Sequence, residues 1–332
     1  MAAFVLAGDV GGTKTSLGLF RAEAGELALE REATYPSREF ASLDEIVRDF
    51  LGRQKGKVEA AAFGLAGPVL GTTVRITNLP WVVDAQSLCE SIGCARVRLW
   101  NDLQAAAFGI LFLPPEKLEP LQRGVSREGN RAVLAAGTGL GQAVLFWDGR
   151  SYHPSPTEGG HADFAPRDER ESALAAFVRR ETGRASVERV LSGPGLYRIF
   201  RFVVSELGIE PSQAVLARLE DEDPARVVGE SALRGECPAS SAAVDLFVSL
   251  YGSQAGNLAL ATFALGGVYV AGGIAGKLLP KLREGGFVAA FRAKDPFEWL
   301  LSEIPVFVVL EPHVARLGAA HAAARLLGGE PG

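Results

Sequence analysis

The chain has 332 residues, more than a single hydrophobic core usually holds, which predicts two domains. Its composition is 48% hydrophobic and 22% charged, which excludes a disordered protein and is typical of a globular one. A net charge of -5 gives no support for binding nucleic acid or a membrane surface, so a small-molecule ligand is expected.

The cysteines and the apolar runs of the sequence indicate the cellular compartment in which the protein is expected. Cys89, Cys94 and Cys237 form no CxxC pair, which predicts buried thiols in a reducing environment rather than disulfides or zinc ligands. The N-terminal apolar run lacks a basic leader and reaches Asp9 too soon for a signal peptide. The longest apolar stretch, residues 242–270, carries polar residues and predicts a buried helix followed by a strand, not a membrane span. A cytoplasmic protein is expected.

The first hundred residues predict strands followed by helices. Residues 4–8 and 16–20 are apolar runs on either side of a glycine turn, which predicts a β-hairpin. Residues 42–45 have the form of a capping box at the start of a helix with one apolar face. Further predicted elements are a strand at 58–64, a helix at 84–92 and a strand at 96–100. The last strand delivers Asn101 and Asp102 at its carboxyl end.

The same pattern begins again in the second half. Residues 134–141 (LAAGTGLG) place an apolar run before a glycine turn, and residues 142–147 continue as a strand. Two hairpins of one design, about a domain length apart, predict a duplicated α/β unit. Residues 113–130 are rich in proline, glycine and charge and are a candidate hinge between the domains.

The C-terminal half predicts mostly helices beyond Arg167. A strand and turn are expected at residues 268–273 and the last strand at 304–310. Residues 314–327 form an alanine-rich terminal helix that packs onto one of the two domains, and its own sequence does not select which.

The first hairpin is a candidate phosphate site. Glycines at a strand end let the backbone approach a phosphate closely and direct its N–H groups at the oxygens. A threonine hydroxyl and a lysine ammonium add donors, and the aspartate is suited to bind magnesium through water. The residues are Gly8, Asp9, Val10, Gly11, Gly12, Thr13 and Lys14. The pattern is not a Walker loop, and taken alone it is equally well explained by a plain tight hairpin.

Two further glycine clusters are candidates for binding the same phosphate-bearing ligand. Gly137, Thr138 and Gly139 occupy the second hairpin, and two such hairpins can hold β- and γ-phosphates from both sides. Gly272 and Gly273 follow a predicted strand and either form the floor under an adenine base or permit close helix packing.

Asn101 and Asp102 are candidates for the chemical step. A carboxylate at the carboxyl end of a strand lies where α/β folds usually bind ligands. Phosphoryl transfer to an alcohol requires a group that accepts the hydroxyl proton, and aspartate suits that role. The alternative for Asp102 is a helix N-cap, because an apolar helical segment follows it.

Glu158, His161 and Glu188 are candidates for binding a polyhydroxylated ligand. Carboxylates and imidazoles hydrogen-bond to sugar hydroxyls, and glycines 159 and 160 keep the loop tight. The alternatives are a polar surface loop or a metal site, and no nearby residue completes a zinc set. The other histidines, 153, 313 and 321, are expected to be structural.

Six strings, in order along the chain, resemble those of the bacterial glucokinase family in the hexokinase and actin-like ATPase superfamily. They are the hairpin at 8–13, LWNDL at 99–103, the hairpin at 136–141, EGGHADFAP at 158–166, ERVLSGPGL at 188–196 and GVYVAGGI at 267–274. The resemblance spans almost the whole chain, and EGGHADFAP together with ERVLSGPGL is highly specific.

The resemblance implies an architecture. The family fold has two ribonuclease-H-like α/β domains with an interdomain cleft, the actin-like ATPase fold. Carried to this chain, it implies a small domain at 1–112, a large domain at 113–313, and a terminal helix at 314–328 that returns to the small domain. Family members are commonly homodimers, so a homodimer is expected.

The resemblance also implies an activity, the ATP-dependent phosphorylation of glucose on O6 to glucose 6-phosphate, which enters glycolysis. Asp102 would be the base and Asp9 would lie beside Mg²⁺, while both hairpins would hold ATP. The residues implied to contact glucose are Asn101, Glu158, His161 and Glu188, with Asn78 and Gly67 as neighbours. The alternatives are a kinase of broader hexose specificity and a non-catalytic sugar sensor.

One position departs from the family pattern. Lys14 stands where the family usually has asparagine, as it often does in the related repressor-and-kinase family. The cysteine-rich zinc motif of that second family is absent from this sequence.

Overall fold

The computed structural model describes residues 3–52 and 57–329. Its contacts divide the chain into two compact units. Of the described residues, the first unit comprises those at 3–52, 57–114, 153–156 and 313–329, and the second comprises residues 115–152 and 157–312.

The strands are numbered in chain order. They are β1 (Ala3–Val10), β2 (Lys14–Glu23), β3 (Glu26–Pro36), β4 (Val58–Leu65), β5 (Val69–Leu70), β6 (Thr73–Arg75), β7 (Val82–Asp84), β8 (Val97–Asn101), β9 (Leu118–Gln122), β10 (Arg131–Ala136), β11 (Leu140–Trp147), β12 (Tyr152–Thr157), β13 (Val268–Ala271) and β14 (Val306–Val309).

The helices are numbered in the same way. They are α1 (Leu43–Leu51), α2 (Ala85–Ile92), α3 (Asp102–Ile110), α4 (Glu169–Thr182), α5 (Val187–Val190), α6 (Gly193–Ser205), α7 (Gln213–Asp221), α8 (Pro224–Arg234), α9 (Pro238–Thr262), α10 (Gly273–Lys277), α11 (Leu279–Arg283), α12 (Gly286–Arg292), α13 (Glu298–Glu303) and α14 (Val314–Leu327). Short 3₁₀ turns occur at Ser37–Glu39, Pro115–Lys117 and Gly159–His161.

The first unit is built on a sheet with the strand order β3-β2-β1-β4-β8. The pairs β1–β2 and β2–β3 are antiparallel, whereas β1–β4 and β4–β8 are parallel. Helices α1 and α2 cover one face, where Leu6 and Val10 join their apolar side chains, and α3 and α14 supply the core on the other face with Val5 and Ala7. Burial on both faces explains why β1 is almost continuously apolar.

The alanine-rich helix α14 packs closely against α3. A Cβ atom at Gly109 of α3 would overlap the Val314 carbonyl, and one at Gly318 of α14 would overlap the Ala105 carbonyl. The helix backbones therefore approach each other through small residues. This contact places the C-terminal helix in the first unit.

The second unit repeats the arrangement. Its strands lie in the order β11-β10-β13-β14-β9, with β10–β11 antiparallel and β10–β13 and β13–β14 parallel. A hairpin followed by two parallel strands is also the arrangement of β2, β1, β4 and β8. The prediction of a duplicated α/β unit is confirmed. The long helix α9, buried on most sides, forms the centre of the second core with Phe247 and Tyr251.

Most predicted elements are present. In the capping box, Ser42 accepts from the Glu45 backbone N–H, and Glu45 accepts from the N–H of Ala41. The candidate hinge at residues 113–130 contains the boundary between the two units, at residues 114 and 115, and beyond it the segment forms β9, which pairs with β14 in the second sheet. As an edge strand, β9 tolerates Pro120, whose missing N–H would disrupt a central strand. The edge strand β3 and the small sheet β5-β6-β7 were not predicted.

The apolar stretch at residues 242–270 is a helix followed by a strand, α9 and β13, as predicted. Across residues 3–52 and 57–329, no helix combines the length and apolar character needed to cross a membrane.

Candidate active site

The first glycine hairpin forms a closed turn that is hydrogen-bonded to Ser37, the residue after β3. The Gly11 backbone N–H donates to the Lys14 carbonyl at 3.0 Å, closing the turn between β1 and β2. Ser37, which sequence reasoning missed, holds the turn from outside: its N–H donates to the Thr13 carbonyl at 3.0 Å and its hydroxyl to the Gly11 carbonyl at 2.8 Å. These hydrogen bonds hold the hairpin in one conformation.

Two glycines of this hairpin lie in close contact with neighbouring residues. A Cβ atom at Gly8 would overlap the Phe63 ring. A Cβ atom at Gly12 would lie 3.1 Å from the Thr77 carbonyl oxygen and 3.3 Å from the Asn78 Cβ. The turn is thus packed against the segment that carries Asn78, one of the predicted sugar neighbours.

Asp9 is half-buried near the end of β1. Burial raises the pKa of its carboxyl to about 6, and the positive charges of Arg316 and Lys14 oppose that rise. Among the described residues, the carboxylate has no hydrogen-bond or ion-pair partner. A desolvated carboxylate without a partner fits a role beside a hydrated cation. Within the same described ranges, no three His, Cys, Asp or Glu side chains form a group that could hold a metal.

Arg316 is a residue near this site that sequence reasoning missed. Its guanidinium is buried, donates to the Ser16 hydroxyl at 3.0 Å and forms an ion pair with Glu32 of β3. Ser16 lies directly opposite Asp9 in the β1–β2 register. Arg316 comes from α14, 300 residues away in the chain, so no local pattern indicated this contact.

Asn101 and Asp102 lie at the junction of β8 and α3. Asn101 is the N-cap, since its side-chain oxygen accepts from the N–H groups of Leu103 at 2.9 Å and Gln104 at 3.3 Å. Asp102 is the first helical residue, and its carboxylate accepts from the Leu103 N–H at 2.8 Å. The alternative that Asp102 is the N-cap was therefore wrong, because the preceding asparagine takes that position.

Asn101 and Gly67, two residues of the first unit predicted to lie at the sugar, are linked by a hydrogen bond. The Asn101 side-chain amide donates to the Gly67 carbonyl at 3.2 Å. The loop that carries Gly67 is joined to the first hairpin, because the Ala66 N–H donates to the Val10 carbonyl at 3.0 Å. Asn78 has a left-handed backbone with φ of 66°, which is uncommon outside glycine. The first hairpin, Gly67, Asn78 and Asn101 form one connected group.

The second hairpin has its own supports. The Gly137 N–H donates to the Gly139 carbonyl at 2.8 Å, and the Gly193 N–H donates to the Gly137 carbonyl at 2.8 Å. Below the hairpin, the Ala136 N–H donates to the buried Tyr251 hydroxyl at 3.0 Å. Burial raises the pKa of Tyr251, which remains a neutral phenol. Tyr251 was not predicted to have this role.

Gly272 brings the end of β13 against the second hairpin. It has φ of 86°, and a Cβ atom there would lie 2.6 Å from the Ala136 carbonyl oxygen. Both features require glycine. Gly273 then begins α10, so the predicted third glycine cluster lies beside the second.

A pocket of about 750 Å³ opens beside the second hairpin, within the second unit. Gly137, Thr138 and Gly273 line it, and its lining is mainly apolar. The remaining walls come from the start of α6, which supplies Tyr197, from α8, which supplies Arg226 and Gly229, and from the end of α10, which supplies Lys277 and its cap Leu278. The sequence did not predict the wall formed by α8. The wall formed by the start of α6 carries the GPG string at 193–195, which is part of the ERVLSGPGL motif.

The three predicted sugar ligands of the second unit lie together. The imidazole of His161 lies 4.0 Å from the Glu158 carboxylate and 3.9 Å from the Glu188 carboxylate. Glu158 and His161 are well exposed, with 60% and 58% of their side chains accessible. Glu188 also accepts from the Leu140 N–H at 2.9 Å, which joins this group to the second hairpin. Glu158 and His161 are thus exposed to solvent, and Glu188 links them to the second glycine hairpin.

The fold and these hairpins define a kinase of the actin-like ATPase class. The glucokinase family model matches residues 6–326. This chain belongs to the glucokinase family. A glucokinase from Trichormus variabilis is 40% identical over 339 residues, covering 97% of this chain and 99% of that protein.

Solved structures agree with the family assignment. A glucokinase from an Antarctic psychrotroph has a TM-score of 0.85 at 30% identity, covering 97% of this chain and 99% of that chain. A ROK-family glucokinase from Streptomyces griseus, solved in complex with glucose and AMPPNP, has a TM-score of 0.65 at 19% identity, covering 97% and 100%. At that identity it shows the shared fold. The predicted family and the predicted two-domain α/β fold class are confirmed.

Proposed function

We propose that this protein transfers the γ-phosphate of ATP to O6 of glucose, producing glucose 6-phosphate for glycolysis. The observation that carries the proposal is the group formed by Glu158, His161 and Glu188, which adjoins the hairpin at residues 137–139. A sugar needs several convergent polar groups, and a phosphoryl donor needs backbone N–H groups close by. The family match along residues 6–326 supports the same reaction.

In the proposed chemistry, Asp102 accepts the proton of the 6-hydroxyl as O6 forms its bond to the γ-phosphorus. The bond from that phosphorus to the bridging oxygen of the β-phosphate breaks, and ADP leaves. The support for Asp102 is its position at the carboxyl end of β8, with the N-cap role taken by Asn101. Its carboxylate is therefore not required as the helix cap.

Glucose binding is proposed for Asn101, Glu158, His161 and Glu188, with Gly67 and Asn78 as neighbours. Asn101 uses its side-chain oxygen for the helix cap and one N–H for the Gly67 carbonyl. Its second amide N–H remains for a sugar hydroxyl, since the amide nitrogen carries two donors.

ATP is proposed to bind at both glycine hairpins, with its base in the 750 Å³ pocket between α6, α8 and α10. Mg²⁺, where it binds through water to Asp9, supplies charge neutralisation on the transferring phosphate. Asp9 fits this role because it is desolvated and lacks a protein partner within the described ranges. Lys14 follows the hairpin and adds a positive charge there.

We further propose that the two compact units correspond to the domains predicted at 1–112 with 314–328 and at 113–313. We also propose that the protein is a cytoplasmic homodimer. It is proposed to bind neither nucleic acid nor a membrane. The family resemblance supports the dimer, and the net charge of -5 supports the absence of a nucleic-acid partner.

The test is a coupled assay of ADP release with Mg·ATP and a panel of sugars. Glucose is expected to give the highest kcat/KM, and mass spectrometry is expected to show a 6-phosphate ester. Comparable kcat/KM for mannose or an amino sugar would indicate a broader hexose kinase. Glucose binding without ADP release would indicate a sensor and would overturn the proposal.

A further inference from the structure

Tyr251, on the long helix α9, places a polar atom in the core of the second unit. Only 1% of the residue is exposed, and its ring packs edge-on against Phe247 and Phe287 at centroid distances of 5.9 and 5.8 Å. Phenylalanine would make the same ring contacts. A tyrosine hydroxyl in such a place needs hydrogen-bond partners, because a buried polar group without one is costly. The partners of this hydroxyl therefore show what the tyrosine contributes.

The partners of the Tyr251 hydroxyl are backbone groups of two neighbouring strands. Its oxygen accepts from the Ala136 N–H at 3.0 Å, and it lies 3.4 Å from the carbonyl oxygens of Leu134 and Ala271, either of which can accept its proton. Ala136 ends β10, and Ala271 ends β13. The parallel pairing of these strands ends at Ala135 and Ala271. The hydroxyl thus joins the two strands where their own pairing stops.

Both strands lead from this point into glycine segments of the proposed ATP site. Strand β10 continues into the second hairpin at residues 137–139, and β13 continues into Gly272 and Gly273. The two segments are in contact, because a Cβ atom at Gly272 would lie 2.6 Å from the Ala136 carbonyl oxygen. Ala136, which Tyr251 holds through its N–H, therefore borders both segments.

The other supports of the second hairpin lie elsewhere on it. The Gly193 N–H donates to the Gly137 carbonyl at 2.8 Å. The Glu188 carboxylate accepts from the Leu140 N–H at 2.9 Å. Neither of these bonds involves Ala136, which is fully buried. Without the tyrosine hydroxyl, the Ala136 N–H would lose its acceptor, and the start of the hairpin would have to shift to find another.

We propose that Tyr251 is a positioning residue for the phosphoryl donor, whose hydroxyl holds the start of the second hairpin against β13 in the arrangement that binds ATP. This inference rests on the proposed function. The N–H groups of a phosphate-binding turn are effective only when the fold already directs them at the oxygens. The proposed sugar group of Glu158, His161 and Glu188 joins the hairpin at its far end, at Leu140, so glucose binding does not depend on the hydroxyl.

Tyr251→Phe removes the hydroxyl and keeps the ring contacts, so the variant should fold. Its kcat/KM for ATP should fall about tenfold, which corresponds to the loss of one hydrogen bond. The KM for glucose, and the glucose affinity measured by calorimetry without ATP, should stay unchanged. The melting temperature should fall as well, because the Ala136 N–H loses its acceptor. A purely structural residue would change the melting temperature alone.

Tyr269→Phe is the matched control. Tyr269 is also buried, with 4% of the residue exposed, and lies in β13 two residues before Ala271. Its ring stacks on Phe307 and lies 5.7 Å from the Arg131 guanidinium. This variant likewise removes the hydroxyl of a buried tyrosine, and it should leave kcat/KM for ATP unchanged.

Three outcomes would overturn the inference. They are an unchanged kcat/KM for ATP in Tyr251→Phe, an equal loss of that constant in the Tyr269→Phe control, and a loss of glucose affinity as large as the loss for ATP. Absence of glucose phosphorylation by the natural chain overturns the proposed function instead. In that case ATP binding by calorimetry to the natural chain and both variants still tests the role of Tyr251, so the two failures are distinct.

Discussion

The Glu188 carboxylate accepts a 2.9 Å hydrogen bond from the backbone N–H of Leu140, the first residue of β11 and the residue directly after Gly139. The other oxygen of the same carboxylate lies 3.9 Å from the imidazole of His161. The Glu188 side chain therefore contacts both the hairpin proposed to bind ATP and His161, a residue proposed to bind the sugar. A Cβ atom at Gly139 would lie only 2.6 Å from Glu188, so glycine is needed to admit this contact.

This relationship predicts that two substitutions of Glu188 differ in their effect on ATP. Glu188→Gln keeps an oxygen that accepts from the Leu140 N–H, whereas Glu188→Ala leaves that N–H without it. Both should raise the KM for glucose, by about tenfold or more, because both remove the carboxylate. Only Glu188→Ala should also raise the KM for ATP. Equal KM values for ATP in the two variants would show that Glu188 does not support the hairpin.

Asp102→Asn is expected to lower kcat by about a hundredfold to ten-thousandfold, the usual contribution of a general base. The asparagine keeps the size of the side chain and an oxygen that accepts from the Leu103 N–H, so α3 should remain folded. Glucose binding, measured by calorimetry, should be largely retained. Asp102→Ala serves as the second variant, and near-normal turnover in both would remove Asp102 from the role of base.

The pocket beside α8 predicts a size limit at Gly229. Gly229→Phe should fill the space proposed for the adenine base and raise the KM for ATP at least tenfold, with glucose binding unchanged. Gly229→Ala is the matched control, since its Cβ would lie an ordinary 3.6 Å from Leu278. Alanine should leave the KM for ATP close to normal and stabilise the helix by about 0.5–1 kcal/mol, because glycine is the poorer helix former. An unchanged KM for ATP in the phenylalanine variant would place the base elsewhere.

His321 predicts a loss of stability in mild acid. Burial, aided by the charge of Arg325, lowers its pKa to about 4, and its ring stacks on Phe112 with centroids 3.4 Å apart. Between pH 6.5 and 4 the unfolded chain binds a proton here that the folded chain does not, so stability falls as pH falls through that window. The loss from this group is about 2 kcal/mol at pH 5.

His321→Phe keeps an aromatic ring at the stack and removes the titrating group. Between pH 7.5 and pH 5, the free energy of unfolding of the natural chain should fall by about 2 kcal/mol more than that of the variant. Urea denaturation at the two pH values provides the comparison. Parallel losses in both proteins would mean that folding does not lower the pKa of His321.

Much of the fold could be predicted because its signals are local. The hairpin at β1 and β2, the capping box at Ser42, and the terminal helix at Val314–Leu327 each follow from the spacing of apolar residues, glycines and caps over a few turns. The prediction was incomplete at residues 113–130, where proline and glycine indicated a hinge: the boundary between the two units lies at residues 114 and 115, but β9 follows it. Local sequence signals are a poor guide to such an edge strand, because its pairing partner lies far away in the chain.

The sequence by itself determined the family, the duplicated hairpins and the identity of the polar residues proposed to bind sugar and phosphate. These features depend on residue type and order. Tertiary structure decided that Asn101 rather than Asp102 caps α3, that Arg316 lies beside Ser16, and that the buried Tyr251 hydroxyl joins β10 to β13. Each of these depends on which groups folding brings into contact and which it removes from water. No local spacing contains that information, because the partners lie on separate elements or because burial is a property of the packed core.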